Sequence, residues 1–354
     1  MKSLKVYKLR EIFSLSEVCI NNFIYINTTQ QNIFMNIKSI TLGALLLIAG
    51  TANMKAIPYS PEYLLAEDAE AQEGNMQFIP KGNFETWTSK TIKESGIIGG
   101  ATVHLMNIGA PWASSNVWAK VSGVTKTNTS VYRDSHPGHG SCAKLYTHIV
   151  EAKVLGIINI KVLAAGSIYL GNTIQPITDT KNPMAKLNAG IRFTKRPRAI
   201  VFDYKAHIVK GNRIRQNGIA KGSSVAGQDM ADCILYLQKR WEDAKGNIYA
   251  KRVGTMVHRF SSSTGWKNNQ SFAIQYGDIR GKSFYSSAWA LTSGAVTKYA
   301  RNSKGRMVPV KEVGWAAANE TPTHIVLQFD SSHGGAYVGT VGNTLWIDNV
   351  RLAY

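Results

Sequence analysis

From Phe78 to Tyr354 the chain is a succession of short apolar runs rich in Val, Ile, Tyr, Phe and Thr. Clusters of Gly, Asn, Ser and Lys break them up, as turns do between strands. Residues 199–208 alternate Ile200, Phe202 and Tyr204 against Val201, Asp203 and Lys205. Period two gives a strand one apolar and one polar side. Residues 233–237, 323–329 and 344–352 carry similar patterns. No long stretch after residue 78 shows helical periodicity. The pattern predicts an all-β fold, a jelly-roll β-sandwich over 78–354. That is long for one sandwich, so long loops or small helical insertions are expected. Residues 182–186 and 211–227 read as loops, the second basic and glycine-rich.

The front of the chain has a different texture. Lys38 precedes an eleven-residue apolar run, Ile40 to Gly50, and small residues follow at Gly50, Ala52 and Ala56. This layout predicts a secretory signal peptide over 35–56. The run is too short for a membrane-spanning helix, which needs about 20 apolar residues. Residues 1–34 fit no targeting pattern and are expected to lie upstream of a start at Met35. In 57–77, Ser60 can cap a helix, Pro61 suits its first turn and Gly74 can end it. A short acidic helix is expected there. The mature chain is then exported and carries no transmembrane segment.

Composition sharpens this only in part. There are 41 basic and 22 acidic side chains in 354 residues. Without residues 1–56 the balance is 35 against 20, a net +15. An excess of that size suits an anionic surface or an acidic glycan as partner, and equally serves solubility. With 44% hydrophobic residues the chain is not disordered. Cys142 and Cys233 both sit in apolar stretches and read as small buried hydrophobes.

Two terminal motifs are informative together. Gly82-Asn83-Phe84-Glu85-Thr86-Trp87 reads as the strand that opens the β-rich part, and residues 342–352 (GNTLWIDNVRL) as the strand that closes it. Between them stand Gly190-Ile191-Arg192-Phe193, Arg196-Pro197, and Asp330-Ser331-Ser332-His333-Gly334-Gly335-Ala336-Tyr337. In order and spacing these resemble the putative carbohydrate metabolism domain family, exported β-jelly-roll proteins of Gram-negative, glycan-degrading gut bacteria. The resemblance covers about Phe78 to Tyr354. It implies a jelly roll, export to the periplasm or cell surface, and a glycan or oligosaccharide as partner; nucleic acid is not expected. Ala336 departs from the family, which often has Asp there, so any role of that acid is lost.

The resemblance also implies a cation. In sugar-binding jelly rolls of similar look, the first and last strands lie together and hold a structural calcium. Glu85 and Asp348 would supply two of its oxygens. Alternatively they accept hydrogen bonds from backbone amides or pair with Lys or Arg. Unbroken alternation would put Asp348 on one apolar face with Trp346, Val350 and Leu352, where a carboxylate needs a partner.

Sugars stack their C–H faces on aromatic rings. Trp112, Trp118, Tyr132, Trp241 and Trp266 lie in polar or turn-like sequence and are the candidate platform. Trp87 and Trp346 read as structural. His136 and His139, with His148 nearby, lack an acid in sequence to complete a metal set and read as a surface turn. The basic stretch from Arg192 to Arg215 reads as a solvated strand face plus loop. No HExxH, GxSxG or phosphate-binding glycine loop is present. Three functions remain: a non-catalytic carbohydrate-binding protein, a glycoside hydrolase using a carboxylate pair, and a structural or adhesive surface protein.

Overall fold

A computed structural model describes residues 75–154, 158–178 and 182–354, with the backbone of a strand pair, Ile24–Thr28 and Gln31–Met35. Beyond Met35, the expected signal peptide lies outside the described residues, as does the acidic helix.

Two large sheets face each other. In spatial order the front sheet runs Thr264–Ala273, Ala199–His207, Thr344–Ala353, Gly140–Tyr146 and Val131–His136, all antiparallel. Met76–Phe78 pairs with the second half of Thr344–Ala353. The back sheet is built around His324–Asp330, Ala231–Glu242 and Ile248–Phe260 and extends through Met307–Trp315 to Ser167–Thr173 and Trp112–Ser114. Among the described residues the only helical pieces are three short 3-10 turns. No helix of the described residues is long and apolar enough to cross a membrane.

The core forms because alternation points one side of each sheet inward. Leu145, Ile200, Phe202, Leu345, Ile347, Val350 and Leu352 of the front sheet meet Ile168, Leu170, Leu235, Leu237, Met256, Leu327 and Phe329 of the back sheet. Each such side chain contributes about 1.5–3 kcal/mol by leaving water. The all-β jelly-roll sandwich expected from the sequence is the fold observed.

Some expectations need correction. The opening motif is a turn and irregular segment, not a strand; the first strand of the sandwich is Met76–Phe78. The opening segment nevertheless lies against the closing strand: Ile79 N–H donates to Val350 O at 3.0 Å, and Val350 N–H to Gly82 O at 2.9 Å. A Cβ on Gly82 would meet Val350 O at 2.8 Å, so only glycine fits this approach. Residues 211–227 are not a plain loop. They contain Asn212–Arg215 and Ser223–Gln228, which pair antiparallel. Both strands are largely exposed and have no apolar face, so nothing in the pattern marked them.

The closing strand also departs from unbroken alternation. Val201 faces Arg351, but two residues further on Asp203 faces Asp348, so the closing strand holds one extra residue. Asn349 takes φ +52° there. This bulge reverses the alternation. Leu345 and Ile347 point into the core before it, Val350 and Leu352 after it. Trp346 and Asp348 therefore share the outer face, not the face of Val350 and Leu352.

Candidate functional site

The outer face of the front sheet is where the chemistry gathers. Cross-strand partners project to the same side of a sheet. Lys144 is opposite Tyr132 on one neighbour and Trp346 on the other, and Trp346 is opposite Lys205. Tyr132, Lys144, Trp346 and Lys205 thus form one row across four strands, alternating aromatic and cationic. At about 4.8 Å per strand the row is roughly 14 Å long. The Lys205 ammonium lies 4.2 Å from the Trp346 ring centre and that of Lys144 5.6 Å. The Trp346 indole N–H donates to Asp134 Oδ2 at 2.9 Å. Burial works to raise the Asp134 carboxyl, but this bond, the Ser135 amide and Lys144 outweigh it and hold it below the usual range.

Beside this row lies a buried polar cluster. His136 Nδ1 and Asp348 Oδ2 are 2.8 Å apart, their residues 2% and 0% exposed. Burial pushes the Asp348 carboxyl up to about 7; the Asn349 amide opposes this, and the charges of Asp203 and Glu85 add to it. Burial also lowers His136, against the pull of Asp203. Both shifts disfavour the charged imidazolium–carboxylate ion pair. Asp203 is 2% exposed; its carboxylate accepts Asn269 N–H at 2.6 Å and Asn349 Nδ2–H at 2.9 Å. The His136 ring stacks on Trp266 at 3.7 Å and on His139 at 4.2 Å. The turn between the histidines closes with His139 N–H donating to His136 O. Gly140, at φ +86°, ends it; a Cβ there would stand 2.1 Å from Glu85 Oε1. That space lets Glu85 accept the Ser141 amide at 2.8 Å. Glu85 is also 3.9 Å from Arg133.

The carboxylates named for calcium are therefore held by protein donors. Glu85 takes a backbone amide and faces Arg133; Asp348 takes the Asn349 amide and His136. Among the described residues, one atom each of His136, His139 and Asp203 lie within 4.8 Å of one another, a set suited to a metal ion. Neither Glu85 nor Asp348 belongs to it. The acid missing from the sequence neighbourhood of the histidines comes from a strand 64 positions later.

The aromatic candidates separate. Trp112 is 2% exposed in the sandwich core, edge-on to Phe84, with Nε1 donating to Pro80 O. It is no sugar platform, which corrects the reading of its polar surroundings as a loop. Trp118 is half-buried in the strand Val117–Val121, with Lys90 over its ring. Trp241 is 44% exposed but belongs to the back sheet, stacked on Tyr249. Tyr132, 37% exposed, and Trp266, stacked on His136, both lie on the outer face of the front sheet. Trp346, read as structural, joins them. Trp87 packs against the core, as expected. Cys142 and Cys233 are buried and free.

The fold and this face define a β-sandwich with an aromatic and cationic sheet surface. The chain belongs to the putative carbohydrate metabolism domain family, whose profile matches residues 83–353. Its function is accordingly carbohydrate-related. No curated protein sequence matches the chain. The solved structures similar to it include two described as putative glycoside hydrolases. One, from Bacteroides thetaiotaomicron VPI-5482, is 16% identical with a TM-score of 0.40, over 75% of this chain and 71% of that one. The other, from Bacteroides vulgatus ATCC 8482, is 15% identical with a TM-score of 0.42, over 77% and 96%.

Proposed function

We propose that the chain binds an acidic glycan on the outer face of the front sheet and does not cleave it. One observation carries this reading: the cross-strand row Tyr132, Lys144, Trp346, Lys205. Aromatic rings offer stacking surfaces for sugar C–H faces, and the two ammonium groups between and beside them suit carboxylate or sulfate substituents. The hydrolase alternative has Asp203 and Asp348, opposite each other with Asp348 raised to about 7. Both are sealed from solvent and tied to protein donors, which favours binding over acid–base chemistry.

The test is binding of the full chain to an array of acidic and neutral oligosaccharides. Acidic ligands are expected to bind, with affinity falling as salt rises. Trp346→Ala and Lys205→Gln should each weaken binding about tenfold or more, an effect of about 1.4 kcal/mol. Trp241→Ala should leave it unchanged. Binding that survives Trp346→Ala and Tyr132→Ala together would refute this placement.

A further inference from the structure

We propose that His136, His139 and Asp203 hold a divalent transition-metal ion, with zinc as the fitting probe. The buried His136–Asp348 pair prepares the first ligand. When Asp348 accepts the Nδ1 proton at 2.8 Å, the lone pair of His136 lies at Nε2. A carboxylate behind a histidine in this way fixes the ring and raises its basicity, the arrangement usual behind metal-bound imidazoles. Trp266 stacks on the same ring at 3.7 Å and holds its plane.

The other ligands converge from separate elements. His139 is exposed and reaches over from the turn after Val131–His136. Asp203 comes from the strand Ala199–His207, its carboxylate anchored by Asn269 and Asn349. The three ligand atoms lie within 4.8 Å of one another. Zinc binds nitrogen at about 2.0–2.1 Å along the ring plane, so His139 must turn out of its 4.2 Å stack on His136 before both nitrogens face one ion, and its exposed place on the turn permits this.

An independent observation points to a ligand at this place. Asn268 contacts His139 Nε2 through Nδ2 at 3.0 Å and lies beside His136 as well, while its buried amide oxygen makes no well-formed hydrogen bond. A lone buried acceptor of this kind is costly. Turning the amide over, which exchanges oxygen and nitrogen, would bring the oxygen to the histidine side as a fourth donor. Two imidazoles, a carboxylate and an amide oxygen suit zinc and its first-row neighbours. Calcium and magnesium prefer oxygen alone. The reading does not depend on the glycan proposal.

The experiment uses the full chain, stripped with chelator and titrated calorimetrically with Zn2+, Ca2+ and Mg2+. One zinc per chain is expected, with a rise in melting temperature and no comparable response to Ca2+ or Mg2+. His139→Ala, at an exposed turn, should fold as the wild type does without metal yet bind zinc at least tenfold more weakly. Asp203→Asn should weaken it similarly. Asp348→Asn, which among the three ligands touches His136 directly, should weaken it about 10–100-fold. The proposal is overturned by absence of stoichiometric zinc binding, by zinc binding unaffected in His139→Ala and Asp203→Asn, or by preference for Ca2+.

Discussion

At the scale of single residues, neighbours in space decided more than neighbours in sequence. Trp112 sits among alanine, proline and serines, yet its ring is packed between Phe84 and Phe329. Trp112→Ala should therefore cost about 3–5 kcal/mol of stability, read as a lower urea midpoint. In the variant that remains folded, glycan affinity should be unchanged. Loss of affinity without loss of stability would return Trp112 to the platform. Tyr132 and Trp266 were legible as aromatics outside the core because polar residues surround them in sequence. Trp346 and Asp203 were not, because a strand shows its period and not what lies across from it.

At the scale of elements, the apolar alternation located the central strands well. The stretch 199–208 became Ala199–His207, 323–329 became His324–Asp330, and 344–352 became Thr344–Ala353. It failed where the period itself breaks. The extra residue at Asp348-Asn349 transfers Trp346 and Asp348 to the outer face, and that one step assembles the site. The available signal was Asn349, a residue type that tolerates positive φ and so marks bulges. Asn349→Val is expected to destabilise by about 1–2 kcal/mol, since a β-branched residue resists φ +52°. It also removes the amide that holds Asp203. The measurement is a denaturation midpoint for Asn349→Val beside Asn349→Gly, which loses the same amide but adopts the positive φ without strain. Equal stability of Asn349→Val and wild type would deny the strained bulge its role.

At the scale of the whole molecule, buried ionisable groups on the back sheet set the response to pH. Burial, then Arg240 and Arg192, pushes His324 from its ordinary 6.5 down to about 2. The unfolded chain thus binds a proton below about 6.5 that the fold does not accept. The stability contributed is complete above 6.5 and is lost as pH falls toward 2, by up to about 1.4 kcal/mol per pH unit. Asp232 and Asp330 face each other on adjacent strands. Burial first raises both, and Asp330 adds its charge to Asp232. Their sign is opposite: the fold keeps a proton that the unfolded chain releases above about 4, so stability declines as pH rises from there. Urea midpoints across the pH range should show a flatter acid limb in His324→Gln and a flatter alkaline limb in Asp232→Asn. Parallel curves for all three proteins would reject the assignment.

The closing strand has a temporal meaning as well as a spatial one. Thr344–Ala353 joins Ala199–His207 on one side to Gly140–Tyr146 and Met76–Phe78 on the other. Ribosomes make it after every other strand of the sandwich. Until it emerges, the front sheet is two separate ribbons, half of the core has no lid, and Asp348 is missing behind His136. This protein's keystone is its latest stone, so neither its closed core nor the row of Tyr132, Lys144, Trp346 and Lys205 can form on a nascent chain still short of residue 344.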